Sequence, residues 1–177
     1  MIYGFPPVAN LDARVLVLGS MPGQASLDAQ EYYAHRHNAF WRIIGDLLWA
    51  GRALPYPERL QGLGDVGIAL WDVIAGCERA GSLDASIVKD TVLVNNFPAF
   101  FAAHPGIDHV FFNGRAAETA FRRLVLPSLG GRSPVLLCLP STSPAHAALP
   151  YAKKLAAWAA IVAPLNKQAS AAYNRLL

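Results

Sequence analysis

Residues 32–41 combine flat aromatic rings with polar groups that could bind and act on a planar ligand. Four of these side chains are aromatic, two are imidazoles and one is an amide: Tyr32, Tyr33, Phe40, Trp41, His35, His37 and Asn38. Aromatic rings stack on nucleobases, and an amide can donate and accept hydrogen bonds at a base edge or at a water molecule. Plain structural roles are the alternative, with Asn38 capping a helix and Trp41 packing into the core beside Ile44 and Leu48.

Two further segments place small polar residues directly after an apolar run. The segment Gly19-Ser20-Met21-Pro22-Gly23 contains glycines and a proline that let backbone amides approach a ligand closely, although a tight turn would explain it equally well. Residues 139–146 read Leu-Pro-Ser-Thr-Ser-Pro-Ala-His. Their hydroxyl groups and imidazole suit contacts with phosphates, and a turn that caps the last helix is the alternative.

A third polar group follows the apolar residues 110–112. Asn113 precedes Gly114 and Arg115, and an amide at the end of a strand can read the edge of a nucleobase. An Asn-Gly turn without any binding role is the structural alternative.

Four apolar runs predict the strands that would carry these segments, at residues 14–18, 67–71, 110–112 and 135–139. Helical spacing of apolar residues falls between or after them, in 40–48, 116–124 and 155–162. This alternation predicts a mainly parallel sheet covered by helices, with ligands at the carboxyl ends of its strands. The connection 52–67 is expected to be long, with a short helix after Pro57, and the residues after Pro164 are expected to form a frayed helix.

Length and composition favour one α/β domain over residues 1–177. The chain is 54% hydrophobic and 15% charged, which favours elements buried on both faces over disorder, and its net charge of +3 permits a polyanionic partner. Cys77 and Cys138 are too few for a thiolate metal site. No signal peptide or membrane span is expected, so a cytoplasmic location is predicted.

A nucleotide cofactor is not expected. Residues 62–67 match the letters of a dinucleotide-binding fingerprint, but they precede a predicted strand instead of following one. Walker, nucleophile-elbow and His-Glu-x-x-His motifs do not occur in the sequence. We therefore predict neither a cofactor nor a bound metal.

Taken in order, the three loops resemble the uracil-DNA glycosylase superfamily. Gly19-Ser-Met-Pro-Gly23 is similar to its first motif, Gly-x-(Asp or Asn)-Pro-(Tyr or Gly), except at Met21, and Pro140-Ser-Thr-Ser-Pro is similar to its Pro-Ser loop. With Tyr-Tyr-x-His-x-x-Asn-x-Phe-Trp at 32–41, the chain looks most like the hypoxanthine-DNA (deoxyinosine) glycosylase family. Residues 70–73 and 77–84 add to the likeness. The resemblance implies a three-layer α/β/α sandwich around a central, mainly parallel four-stranded sheet.

The resemblance also implies roles for individual residues. A methionine thioether cannot orient water, so chemistry moves from position 21 to Asn38. Ser20 and Met21 are expected to give backbone contacts to a flipped base, Phe40 to stack on it, and Asn113 to read its edge. The loop residues Ser141, Ser143, Pro144, Ala145 and His146 are expected to grip DNA and wedge into the duplex. The chain has His35-Arg36-His37 where the family more often has a His-Pro pair, so Arg36 and His37 are candidate accessory residues.

The expected activity is removal of a deaminated base, hypoxanthine above others, by a monofunctional DNA glycosylase that flips the base out, hydrolyses the N-glycosidic bond and leaves an abasic site for base excision repair. DNA carrying such a base is the expected partner. Uracil, xanthine or a mismatched pyrimidine is the alternative substrate. A non-catalytic DNA-lesion binding protein and an unrelated nucleoside hydrolase are alternatives of other classes.

Overall fold

A computed structural model describes residues 1–49 and 53–165 of the chain. Its strands and helices, in chain order, are β1 (Ile2–Tyr3), β2 (Val15–Gly19), α1 (Gln24–Ala29), α2 (Phe40–Leu48), α3 (Tyr56–Asp65), β3 (Ile68–Asp72), β4 (Ile74–Cys77), β5 (Leu93–Val94), α4 (Phe97–Ala103), β6 (His109–Asn113), α5 (Arg115–Ala120), β7 (Val135–Leu139) and α6 (Tyr151–Trp158). The four predicted strands are confirmed as β2, β3, β6 and β7. The expected single domain over 1–177 includes residues outside the described ranges and stays a prediction.

The central sheet has the strand order β3-β2-β6-β7, and all of its neighbouring strands are parallel. Register brings the strand ends together: Gly19 pairs with Asp72, and Asn113 pairs with Leu139. The loops that follow these residues therefore leave the sheet at one edge, where open parallel sheets bind ligands.

Both faces of this sheet are covered, as the predicted three-layer sandwich requires. Alternate side chains of a strand point to opposite faces, so Leu16 and Leu18 of β2 enter one hydrophobic cluster and Val15 and Val17 enter another. The first cluster contains apolar residues of α4 and α5, and the second contains residues of α2, α3 and α6. The fold class predicted from the sequence is confirmed.

A second, smaller sheet was not predicted. It is antiparallel, with the order β1-β4-β5, and β4 begins only two residues after β3 ends. The backbone N–H groups of Val73 and Ile74 donate to the carbonyl oxygens of Gly19 and Ser20 at 2.9 and 3.0 Å. These bonds hold the start of the segment 19–23, here called the first polar loop, against the turn between β3 and β4.

Helix boundaries differ from the sequence expectation in two places. Helix α3 begins at Tyr56, one residue before Pro57, and runs for ten residues, because proline is accommodated in the first helical turn, where its missing N–H is not needed. The helix over 116–124 is α5 followed by a π-helical turn, Phe121–Val125. The frayed helix expected after Pro164 falls largely on residues 166–177, outside the described residues. None of the described helices is long and apolar enough to cross a membrane.

Candidate active site

A cleft of about 170 Å³ opens at the carboxyl edge of the central sheet. Its lining comes from the first polar loop and the start of α1, the ends of β3 and β6, residues 82 and 84, the loop after β7, and residues 32–41, here called the aromatic segment. The lining residues are Gly19–Ser26, Tyr32, Tyr33, His35, Asn38, Asp72, Ser82, Asp84, Asn113 and Ser141–Pro144. The three loops singled out in the sequence thus meet at one site. Among the described residues, no three His, Cys, Asp or Glu side chains are grouped as a metal site.

Gly19 lets the side chains of Asp72 and Tyr33 approach the backbone closely. A Cβ at this position would collide with Oδ1 of Asp72 and would lie 3.3 Å from the hydroxyl oxygen of Tyr33. The Tyr33 hydroxyl and Asp72 Oδ2 are both buried, and neither has a hydrogen-bond partner in the part of the chain that the structure describes. The Tyr33 hydroxyl and the Asp72 carboxyl therefore both lie beside Gly19, the residue that ends β2.

The Asp72 carboxyl is the most perturbed acid of the cleft. Its residue is only 3% exposed, and burial raises the pKa of its carboxyl from 3.8 to about 7. The negative charge of Asp84 acts in the same direction, and the Arg79 guanidinium lowers the pKa. Perturbed acids in a cleft are typical of functional sites. Asp72 was missed in the sequence, although it ends an apolar strand at the same sheet edge as Gly19 and Asn113.

Hydrogen bonds of Ser20 and Arg79 join the first polar loop to the segment that follows β4. The Ser20 hydroxyl donates to Asp84 Oδ1 at 2.7 Å, and the Arg79 side chain donates to the carbonyl oxygens of Pro22 and Gly81 at 2.5 and 2.9 Å. Burial raises the pKa of the Asp84 carboxyl, and the Ser20 bond lowers it. The Ser20 hydroxyl is thus already bonded within the protein. This is compatible with the expectation that Ser20 contacts a base through its backbone.

Met21 lines the cleft but is only 6% exposed. Its side chain packs in a small hydrophobic cluster with Ile74 and Cys77 under the small sheet. The position that carries a polar side chain in the first motif is here part of the apolar support of the loop.

Phe40 is enclosed instead of facing the cleft. Its residue has no exposed surface and does not line the cleft, and its ring packs against Tyr33, with ring centroids 4.1 Å apart, and edge-on against Trp158. The expectation that Phe40 itself contacts a base is not met in this conformation, because the Tyr33 ring, which lines the cleft, packs on it.

Tyr33 adopts a backbone conformation that bulky residues rarely take. Its φ of 57° lies in the left-handed region, where a side chain costs about 1–3 kcal/mol. Burial raises the pKa of its hydroxyl, which stays protonated and available as a donor. Strain of this kind is found where a ligand or catalytic group must be held in place. Tyr33 is therefore a site residue that the sequence named only as one of several aromatic candidates, with Phe40 preferred for the contact.

Asn38 lines the cleft one residue before Ala39, which is the N-cap of α2 and has no side-chain cap bond, so the N-cap role considered for Asn38 as an alternative is wrong. Its Oδ1 accepts a hydrogen bond from the backbone N–H of Phe40 at 2.9 Å. This bond uses one lone pair of Oδ1 and fixes the orientation of the amide. The second lone pair and the Nδ2 group remain available for a water molecule or a ligand, so the bond to Phe40 and a catalytic role are compatible here.

The basic residues before Asn38 divide into two groups. His35 lines the cleft, and its Nδ1 accepts from the backbone N–H of His37 at 3.2 Å. Arg36 and His37 are exposed and do not line the cleft. The structure therefore places His35, not the two candidate accessory residues, beside the site.

Asn113 and Thr142 form a reciprocal pair that joins β6 to the loop after β7. Asn113 Nδ2 donates to Thr142 Oγ1, and the Thr142 backbone N–H donates to Asn113 Oδ1, both at 2.8 Å. The Thr142 carbonyl accepts from the backbone N–H of Ala39 at 3.0 Å. Thr142, only 1% exposed and not singled out in the sequence, thus joins the end of β6 and the aromatic segment to the loop after β7. Asn113 lines the cleft with one N–H and one lone pair left for a ligand.

The loop after β7 presents a short turn at the mouth of the cleft. The Ser141 hydroxyl accepts from the Ser143 N–H, and the Ser143 hydroxyl accepts from the Ala145 N–H, both at 3.2 Å, which builds the 3₁₀ turn Pro144–His146. Ser141, Ser143 and Pro144 line the cleft, whereas Ala145 and His146 line a neighbouring cavity of about 470 Å³ together with Arg115 and Lys154. Pro144, Ala145 and His146 are all exposed.

A model of the uracil DNA glycosylase superfamily matches residues 6–165, which is most of the chain. The chain belongs to this superfamily. It is a DNA glycosylase, an enzyme that hydrolyses N-glycosyl bonds, and DNA is its substrate.

Two relatives of this glycosylase carry the name hypoxanthine DNA glycosylase. The protein from Methanosarcina barkeri is 33% identical over 135 residues, which cover 76% of the chain and 83% of the relative. The protein from Methanosarcina acetivorans is 34% identical over 137 residues, covering 72% and 85%. The solution NMR structure of a candidate uracil DNA glycosylase from M. acetivorans is similar with a TM-score of 0.78 and 30% identity, and the match covers 93% of this chain and 98% of that one.

Proposed function

We propose that this glycosylase excises hypoxanthine from deoxyinosine in DNA, as the names of its two relatives suggest. The observation that carries the proposal is that the cleft presents the amide of Asn38, whereas residue 21, the polar position of the first motif, is an apolar methionine. The Met21 side chain is packed into an apolar cluster, and Asn38 presents a fixed amide to the same cleft. A site of this composition needs its water-orienting group in the aromatic segment, as in the family that the sequence resembles.

The base is proposed to leave the stack before the reaction, because the cleft lies below the loops and a base paired in a duplex cannot enter it. Flipping costs a few kcal/mol and is easiest for mispaired bases. The exposed residues Pro144, Ala145 and His146 would enter the gap that the base leaves. Backbone groups and hydroxyls of Ser141 and Ser143 would contact phosphates, and exposed Arg115 lies along the neighbouring cavity, where its charge favours the DNA backbone.

Within the cleft, Tyr33 is proposed to provide the aromatic surface, with Phe40 as its support. The amide of Asn113 would contact the base edge through its remaining N–H and lone pair while Thr142 holds it in place. Ser20 and Met21 would contribute backbone contacts from the first loop. Arg36 and His37, exposed outside the cleft, would contact phosphate at most.

Asn38 is proposed to orient the attacking water. An amide does not titrate near neutral pH, so it cannot remove a proton as a strong base. It can accept a hydrogen bond from water through the second lone pair of Oδ1 and thereby fix the direction of attack on C1′ of the sugar. The bond between C1′ and the base nitrogen breaks with its electron pair passing to the base, the water oxygen bonds to C1′, and the base finally binds one proton of that water. An abasic site remains, the expected first product of base excision repair.

A substrate panel tests this function. Purified protein is incubated in EDTA with labelled duplexes that each carry a single inosine, uracil, xanthine or G·T mismatch, and alkali-sensitive abasic sites are counted. We expect the inosine duplex to be processed fastest. Faster release of uracil, xanthine or thymine would assign another lesion, and tight binding of the inosine duplex with no base release would assign a lesion-binding protein.

The role of the loop after β7 is tested separately with a Ser143→Ala, His146→Ala double variant. Loss of two phosphate or groove contacts should weaken duplex binding and reduce the dependence of log K on log salt concentration. Unchanged affinity and salt slope would remove this loop from the DNA contact surface. Ser133→Ala, a change at an exposed residue before β7 that does not line the cleft, serves as the matched control.

A further inference from the structure

The carboxyl of Asp72 is not used by the chemistry described so far. It lies at the end of β3, beside Gly19, on the floor of the cleft. It is almost fully buried, and its Oδ2 has no hydrogen-bond partner among the described residues. A buried carboxylate without a partner is strongly disfavoured, and a hydrophobic side chain would fill a purely structural position better. The unpaired carboxyl is therefore available to a group that enters the cleft.

We propose that Asp72 acts in its neutral form as a hydrogen-bond donor to the departing base, giving its O–H to a carbonyl oxygen or ring nitrogen of the flipped oxopurine. This inference rests on the proposed excision of a base from DNA and adds the group that stabilises the leaving base. Asn38 would orient the attacking water, and Asp72 would donate a hydrogen bond to the base on the other side of the breaking bond.

The chemistry of the leaving group favours a neutral carboxyl. As the glycosidic bond breaks, its electron pair passes to the base, and negative charge builds on the base oxygens and nitrogens. An ionised carboxylate below the base would repel that charge, whereas an O–H donor forms a bond that strengthens as the charge develops. Asp72 keeps its proton throughout, so the overall reaction is still the addition of one water molecule across the bond.

The surroundings of Asp72 keep it neutral up to about neutral pH. Four titratable groups interact with it: the Tyr33 and Tyr32 hydroxyls from the aromatic segment, Asp84 from the 3₁₀ turn Asp84–Ser86, and Arg79, two residues after β4 ends. Burial raises the pKa of the Asp72 carboxyl to about 7, and Asp84 adds to this. The positive charge of Arg79 lowers the pKa but does not offset burial; its Nε and Nη2 donate to the Gly81 and Pro22 carbonyl oxygens, and its buried Nη1 has no hydrogen-bond partner among the described residues. The Tyr33 and Tyr32 hydroxyls stay uncharged, because burial raises their pKa.

Single-turnover excision of hypoxanthine from an inosine duplex, measured from about pH 5.5 to pH 9, tests the proposal. The wild-type rate should fall up to tenfold for each pH unit above about 7, as the donor is lost. Asp72→Asn keeps an N–H donor at every pH, so its rate should not show this alkaline fall. Asp72→Ala should lose on the order of 100-fold below pH 7, as loss of one such donor does elsewhere. Asp65→Asn, a change at an exposed acid of α3 that does not line the cleft, should behave as wild type.

An Asp72→Asn profile that falls at high pH as steeply as the wild-type profile would overturn the proposal, and so would an Asp72→Ala rate within twofold of wild type. A second measurement avoids any folding defect of the variants. In ¹³C NMR of the wild-type protein, the Asp72 carboxyl should titrate near pH 7, and its midpoint should move to higher pH on saturation with free hypoxanthine. An unmoved midpoint would contradict the proposal. Failure of the wild-type protein to release any base would instead refute the proposed function, and Asp72 would then have no leaving base to serve.

Discussion

Replacement of Asp72 by asparagine should stabilise the protein above neutral pH. In the folded protein the Asp72 carboxyl has a pKa of about 7, against an ordinary value of 3.8. Because the folded pKa is raised, the unfolded chain releases this proton at lower pH than the folded chain does. Stability from this group is thus fully present below about pH 4 and is lost as pH rises to about 7. Asparagine has no charge to lose and escapes the penalty.

The size of this effect follows from the shift in pKa. A difference of roughly three pKa units, at about 1.4 kcal/mol for each unit, gives an upper limit of about 4 kcal/mol. The free energy of unfolding, from urea denaturation at several pH values, should therefore differ little between Asp72→Asn and wild type near pH 4. The variant should become the more stable by up to a few kcal/mol at about pH 8. Asp65→Asn should show no such trend. A difference between Asp72→Asn and wild type that does not change with pH would show that Asp72 is ionised in the fold and refute the reasoning.

Three further changes address how the loops are held. Thr142→Val removes the acceptor for Asn113 Nδ2 and should cost about 1–3 kcal/mol of unfolding free energy; a double-mutant cycle with Asn113→Ala should show a coupling of about 1 kcal/mol, and strict additivity would deny the pair. Gly114→Ala places a methyl group 2.9 Å from the Ser141 Cβ at a φ of 96°, so a loss of about 1–3 kcal/mol is expected, and an unchanged Tm would contradict the geometry. Gly19→Ala should lower the excision rate strongly while changing the free energy of unfolding little, because Asp72 can avoid the new methyl group only by leaving its place in the cleft. An excision rate equal to that of wild type would show that the position of Asp72 does not matter.

The sheet was predictable because its strands are short apolar runs bounded by polar or turn residues. The loops could be placed at one edge for the same reason, since parallel strands end together. The small sheet was missed because β1 and β5 are two residues long, too short for any alternation of apolar and polar residues to show. Helix α3 was underestimated because Pro57 and three glycines suggest a loop when the first helical turn is not considered.

The site residues were predictable to different degrees. Asn38 was noticed because an amide stands among aromatic rings, but its catalytic role is what the family resemblance implies and stays a prediction. The loop after β7 was noticed because it is rich in serine and proline. The sequence could not show that the Tyr33 ring, and not the Phe40 ring, lines the cleft, since this depends on the left-handed backbone of Tyr33. Asp72 and Thr142 look like ordinary polar residues beside strands, and only their burial and their partners in three dimensions reveal what they do.

The most direct test of the central claim compares excision of hypoxanthine by wild type and by Asn38→Ala. Single-turnover release from an inosine duplex in EDTA is measured beside duplex binding, with Asn10→Ala, a change at an exposed asparagine that does not line the cleft, as the matched control. We expect Asn38→Ala to bind the duplex nearly as well as wild type and to lose most of the excision rate, while Asn10→Ala keeps it. Undiminished excision by Asn38→Ala would contradict the assignment of Asn38 as the residue that orients water.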